Sequence, residues 1–248
     1  VSQTALPLIS RTFTLSHGSA IDVRKLYPLI EELREKTGRR LVLAPSSTLP
    51  VRAQITSGRY EKRVLVAYRV EKGKTGDLAH EILRAIQMGS AEWDKVAPIP
   101  VDKQDGGAAA AARWIQELVN DAWIEERMRA MGIRTRIHND IMDANLETLE
   151  RDARPFPSIE DPKLRLIYSM AQYASFLLTR DAASYGRKGE RLERHYRELD
   201  PQAMSLGIRA AEIVRQHGCL TPVTAGKASQ AIIELSGMSK RIRIQEVP

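Results

Sequence analysis

Asp77-Leu-Ala-His80-Glu81-Ile-Leu-Arg84-Ala-Ile-Gln-Met88 is the stretch whose reading decides the fold. Leu78, Ile82, Ala85 and Ile86 recur at helical spacing, so the segment reads as a helix with these residues facing the core. His80, Arg84 and Gln87 share a neighbouring face, because residues three and four apart stack on one side of a helix. Val64-Leu-Val-Ala-Tyr-Arg69, just upstream, is apolar and β-branched, and reads as a strand. Gly73 and Gly76 break the chain between the two, and Asp77 suits an N-cap or first-turn acid. The expected unit is strand, short turn, then a helix presenting His80 and Arg84 together.

A second helix is expected from Ala108 to Met131, a stretch rich in alanine and free of proline and internal glycine. Its apolar stripe runs through Trp114, Leu118, Ala122 and Met128, and Asp121 and Glu125 fall on that stripe. An acid on an apolar stripe must be satisfied by a metal, a histidine or an arginine from a facing element. Glu117, Glu126 and Arg127 read as ordinary surface charges.

His80-Glu81 matches the first half of the zinc-peptidase helix signature His-Glu-x-x-His, in which two histidines ligate the metal and the glutamate is the general base. Asn120-Asp-Ala-Trp-Ile-Glu125 is similar to the second-helix pattern of the same proteins, Asn-acid-x-x-x-acid. From Leu41 to Met131 the chain thus resembles the zincin-like metallopeptidases of the glutamate-zincin type. The resemblance implies zinc as cofactor, His80 as first ligand, Glu81 as catalytic base, and Asp121 or Glu125 as a further ligand with the other acid behind it. It also implies that substrate backbone adds to an edge strand beside the helix. Arg84 departs from the pattern. It stands where the second histidine belongs, and a guanidinium has no acceptor nitrogen to offer a metal. Two branches follow. Either a ligand from outside the motif completes the zinc site, and the chain is a metallopeptidase-like hydrolase. Or Arg84 pairs with Asp121 or Glu125 in the metal's place, and the chain is a degenerate relative that binds a peptide or protein segment without cleaving it.

Other readings are weaker. Gly73-Lys74-Thr75 follows a strand as a phosphate-binding loop does, but Tyr68 stands where that loop needs its first glycine. His138 and Asp143 are badly spaced for one helix face, and His195 with Glu198 lacks a third partner, so surface or capping roles are expected for them. The single cysteine, Cys219, excludes an intramolecular disulfide and a cysteine metal cluster. The net charge of +7 is spread along the chain, with clusters at Arg187-Lys188, Arg191, Arg194 and Lys240-Arg-Ile-Arg243. Nucleic-acid binding needs a contiguous basic surface and stays an alternative, beside a non-enzymatic protein-binding or regulatory module. No apolar run is long enough to span a membrane, and the N-terminal residues lack the pattern of a signal peptide, so a cytoplasmic setting is expected.

The expected fold class is α+β, mostly α: a small N-terminal antiparallel or mixed sheet packed on the His80 helix, followed by a helical C-terminal region. Helices are expected over Ile21–Lys36, Arg136–Arg151, Lys163–Thr179, Pro201–His217 and Val223–Leu235. Strands are expected over Arg40–Ala44, stopped by Pro45, and over Val51–Ile55, with a turn at Ser57–Gly58. Val96–Gly107 reads as an irregular loop. The Pro-rich stretch Ala153–Pro162 is the candidate boundary between a zincin-like unit, 1–153, and a helical extension, 154–248, or else a tight loop within one body.

Overall fold

The computed structural model of the chain describes residues 21–56, 61–152, 156–183 and 185–245. The N-terminal residues, the Ser57–Gly58 turn and the first part of the Pro-rich stretch lie outside the described residues.

Three strands form the N-terminal sheet: β1 (Arg40–Ser46), β2 (Ala53–Ile55) and β3 (Arg63–Arg69). Their order is β1-β3-β2, with β1 parallel and β2 antiparallel to β3. The most apolar strand therefore takes the centre, and Val64 and Val66 are fully buried. Pro45 does not end β1, which runs on to Ser46. As an edge strand it has one free side, where proline's missing N–H costs no ladder bond.

The first helix starts later than its sequence suggests. Val23–Leu26 is a 3-10 turn, and α1 spans Tyr27–Thr37 with Pro28 in its opening turn. Proline suits that place because the N–H it lacks would have no intrahelical partner there. Gly38 closes α1 in the left-handed region, at φ 66°. Then come α2 (Thr75–Gly89), the short α3 (Ala91–Lys95), β4 (Pro98–Pro100), α4 (Gly106–Ala130) and α5 (Ile137–Arg151). The C-terminal region is helical, with α6 (Pro162–Ala183), α7 (Arg187–Leu199), α8 (Pro201–His217) and α9 (Pro222–Leu235) before a last strand, β5 (Ile242–Ile244). The class is α+β and mostly α, with a small mixed sheet near the N-terminus.

The stretch before α4 is not wholly irregular. β4 pairs antiparallel with β5, Pro98 opposite Ile244 and Pro100 opposite Ile242. Val101 N–H donates to Arg241 O and Gln245 N–H to Ala97 O, so the bonded positions alternate through 97, 99 and 101. Both prolines thus fall where no ladder bond is required, and the alternating Arg-Ile-Arg-Ile of the C-terminal segment is their partner strand.

One apolar cluster runs from Ile21 through Leu78, Ile82, Ile115 and Ile124 to Ile232 and Ile242. A second, richer in aromatics, joins Met142, Leu146 and Leu149 to Tyr173, Phe176, Leu192 and Tyr196. Among the described residues no helix is long and apolar enough to cross a membrane.

The start of α2 is pressed against the residues leading into α5. An added Cβ at Gly76 would lie 1.8 Å from the Arg134 carbonyl oxygen. Gly76→Ala should therefore destabilise the fold by about 1–3 kcal/mol or more, although Gly→Ala in a helix with room gains about 0.5–1 kcal/mol. A urea midpoint equal to or above that of the unsubstituted chain would contradict this packing.

Candidate metal centre

The site begins with Asp77, in the first turn of α2 and fully buried. Its carboxylate accepts from the backbone N–H of Lys74 at 2.9 Å, the Thr135 hydroxyl at 2.8 Å and the Arg136 N–H at 3.1 Å. The first bond caps α2. The other two fasten the entry of α5 to it. A bidentate pair between Arg52 and Asp140, at 2.7 and 3.0 Å, ties α5 to the chain entering β2. His80, one turn along α2, and His138, in the first turn of α5, are thereby held edge to face. Their ring centroids are 5.5 Å apart and the planes cross at 75°.

His80 is 1% exposed. Its Nδ1 lies 3.1 Å from Glu81 Oε1. A proton shared there leaves Nε2 as an imidazole lone pair, and Nε2 is buried with no hydrogen-bond partner among the described residues. Glu81 Oε2 accepts from the backbone N–H of Ile55 in β2, at 3.1 Å. Both oxygens of Glu81 are therefore engaged.

The acids of α4 diverge in role. Asp121 Oδ1 accepts from Arg84 Nη2 at 2.8 Å and stands 4.0 Å from His80 Nε2. Glu125, one turn on and buried, meets His138 Nε2 at 2.7 Å. A ligand atom from each of His80, Glu125 and His138 lies within 4.8 Å of the other two, and all three residues are buried. This His-Glu-His group could hold a metal ion. Asp121 is not part of it, and neither is Arg84.

The expected surface or capping role of His138 is therefore wrong. The residue is 4% exposed and sits at the centre of the cluster. Its signal was present in the chain: His138, Met142, Leu146 and Leu149 recur at helical spacing, so the histidine continues the buried stripe of α5. Arg127 is also more than a surface charge, since it pairs with Glu32 at 2.6 Å and lies over the Trp123 ring.

Burial opposes ionisation of Glu81, but the hydrogen bond from His80, the charge of Arg84 and the Ile55 N–H outweigh it and hold the carboxyl below its usual range. Asp121 is likewise held low, with Arg84 the chief cause against burial. Arg84 is held firmly protonated by the charge of Asp121. For His138, burial favours the neutral ring, but the bond and charge of Glu125 prevail and raise its pKa. Beyond His138 toward Tyr185 lies a cavity of about 20 Å³, room for one water. Tyr185 donates to or accepts from the Thr179 hydroxyl, and burial pushes its phenol up to about 12.

Compared with known proteins, the chain matches no family model, no curated protein and no solved structure.

These shifts set what the site contributes to the pH response of the protein in the presence of a chelator. The lowered carboxyls contribute stability above their ordinary values of 4.5 and 3.8, lost as pH falls through their folded-state values. The raised His138 contributes below its ordinary 6.5, and that contribution is lost as pH rises through its folded-state value. The contribution of the site should be largest between these limbs, and His138→Gln should flatten the alkaline one. Urea midpoints across the pH range check it.

Arg84 is 36% exposed on its side chain, so its pair with Asp121 is only partly desolvated. Arg84→Ala should cost about 1–3 kcal/mol, less than a fully buried pair would. An unchanged denaturation midpoint would show that the pair contributes nothing.

Proposed function

We propose that this chain is a zincin-like, metal-dependent hydrolase acting on a peptide or protein segment, with His138 taking the place of the second motif histidine. The observation that carries this reading is the buried, unpartnered Nε2 of His80 beside Glu125 and His138. Burying an imidazole acceptor without a donor is unfavourable unless something else binds it. Two imidazoles and one carboxylate are also the donor set of many catalytic zinc sites. Ligands about 2.0–2.1 Å from a tetrahedral zinc stand about 3.3 Å apart, so Glu125 and His138, now 2.7 Å apart, have to part slightly.

Zinc bound by His80, Glu125 and His138 would supply an acidified water and polarise a substrate carbonyl. The chain's own residues do the rest. Glu81, held ionised, accepts a proton. Its bond to His80 Nδ1 orients that ring and fixes which nitrogen is left to bind metal. Arg84, partly exposed and anchored by Asp121, presents a fixed positive charge for an oxygen that becomes negative during attack.

The degenerate reading rests on the same Arg84–Asp121 pair, in which a guanidinium compensates an acid of α4 without any metal. A nucleic-acid partner finds less support. Lys188 pairs with Asp143, Arg191 with Glu150 and Arg241 with Asp105, so three of the seven clustered cations already have an acidic partner.

Zinc titration by calorimetry decides between the readings. The hydrolase reading expects one stoichiometric site, weakened about a hundredfold or more by His80→Ala or His138→Ala, and little affected by Asp121→Asn. Absence of binding in the unsubstituted chain, with binding gained on Arg84→His, would establish the degenerate reading instead.

A further inference from the structure

Across the β2–β3 pair, Thr56 N–H donates to Leu65 O and Arg69 N–H donates to Arg52 O, each at 2.8 Å. Bonded pairs therefore fall at 52 with 69, 54 with 67 and 56 with 65. The alternate residues, Ala53 and Ile55, turn their backbone groups the other way, toward the outer edge of the sheet. β2 is an edge strand, and it packs on α2. An outward N–H is what an added strand would use, bonding to it through a backbone carbonyl. Here the Ile55 N–H is taken instead by Glu81 Oε2, at 3.1 Å. A carboxylate oxygen stands where the carbonyl oxygen of a neighbouring strand would stand.

We propose that the Glu81–Ile55 bond is a latch released by the substrate: an extended peptide adding to the outer edge of β2 gives a backbone carbonyl to Ile55 N–H and displaces Glu81 Oε2. This rests on the hydrolase reading for its chemical consequence, but its binding step does not need the metal. In the latched state both Glu81 oxygens are committed, one to His80 and one to Ile55. Release frees one oxygen while the His80 bond keeps the group in place. The base is thus freed only when extended backbone lies along β2. The ligand class is an unfolded or extended polypeptide of several residues. A single-residue amide, with no second carbonyl to reach Ile55, leaves the latch closed.

The test uses the full chain and fluorescein-labelled, unfolded α-casein as a sequence-tolerant extended probe, with binding read by anisotropy in the presence of zinc and again in chelator. Glu81→Ala removes the internal competitor and should bind the probe about tenfold tighter than the unsubstituted chain. Glu81→Gln keeps a carbonyl acceptor for Ile55 N–H and should bind as the unsubstituted chain does. Hydrogen exchange at the Ile55 amide should speed up in Glu81→Ala and slow again when casein is added. Equal affinity for the Ala and Gln variants, no binding by Glu81→Ala, or an Ile55 amide still protected in the free Ala variant would overturn the latch. Zinc binding with any of those results leaves the hydrolase reading standing without the latch. Tighter casein binding by Glu81→Ala with no zinc bound leaves the latch standing and removes the hydrolase reading.

Discussion

The carboxylate of Asp77 is the constraint on which the site depends. A fully buried acid must find donors for its lone pairs, and this one finds them in two places, the turn before α2 and the residues entering α5. Satisfying Asp77 therefore sets the distance between two helices that no sheet connects. Gly76 allows the close approach, because only a residue without a Cβ can lie against the Arg134 carbonyl. Once the helix starts are fixed together, His80 and His138 meet as a matter of register. The aromatic core below α5 then holds the rest of that helix in place.

Charge balance is the second organising demand. Glu81, Asp121 and Glu125 converge on one small region, and like charges there would repel strongly in a medium of low dielectric constant. Each acid has its own positive or hydrogen-bonding counterpart. Asp121 has Arg84, Glu125 has His138, and Glu81 has His80 with the Ile55 N–H. These acids are satisfied pair by pair, while His80 Nε2 finds no hydrogen-bond partner among the described residues.

Most of the fold could be read from the chain because its signals are local. The apolar run of β3, the periodic apolar positions of α2 and the alanine-rich α4 each declare their type within a dozen or so residues. The misreadings share a different cause. Pro45 and the prolines of β4 looked like strand breakers because proline's cost depends on which neighbour lies beside it, and that neighbour, for β4, comes from residues 242–244. The role of His138 is hidden for the same reason. Its own helix offers it only the badly spaced Asp143, while its partner is Glu125 on another helix. The acids on the α4 stripe did announce that something must satisfy them, and the structure supplies Arg84 for one and His138 for the other. What the sequence could not supply was the Asp77 junction, which decides that α5 and not a later helix faces α2.

The arrangement at position 84 also has an evolutionary consequence. Arg84 compensates Asp121, so replacing it alone by histidine leaves a carboxylate of α4 without its cation. Replacing Asp121 alone strands the guanidinium. Exchanging the two residues one at a time therefore crosses a less stable intermediate, whichever goes first. Positions 84 and 121 are epistatic: each residue is tolerated because of the other. Arg84 is in this sense entrenched by its acid, and drift at either position is held in check by the other.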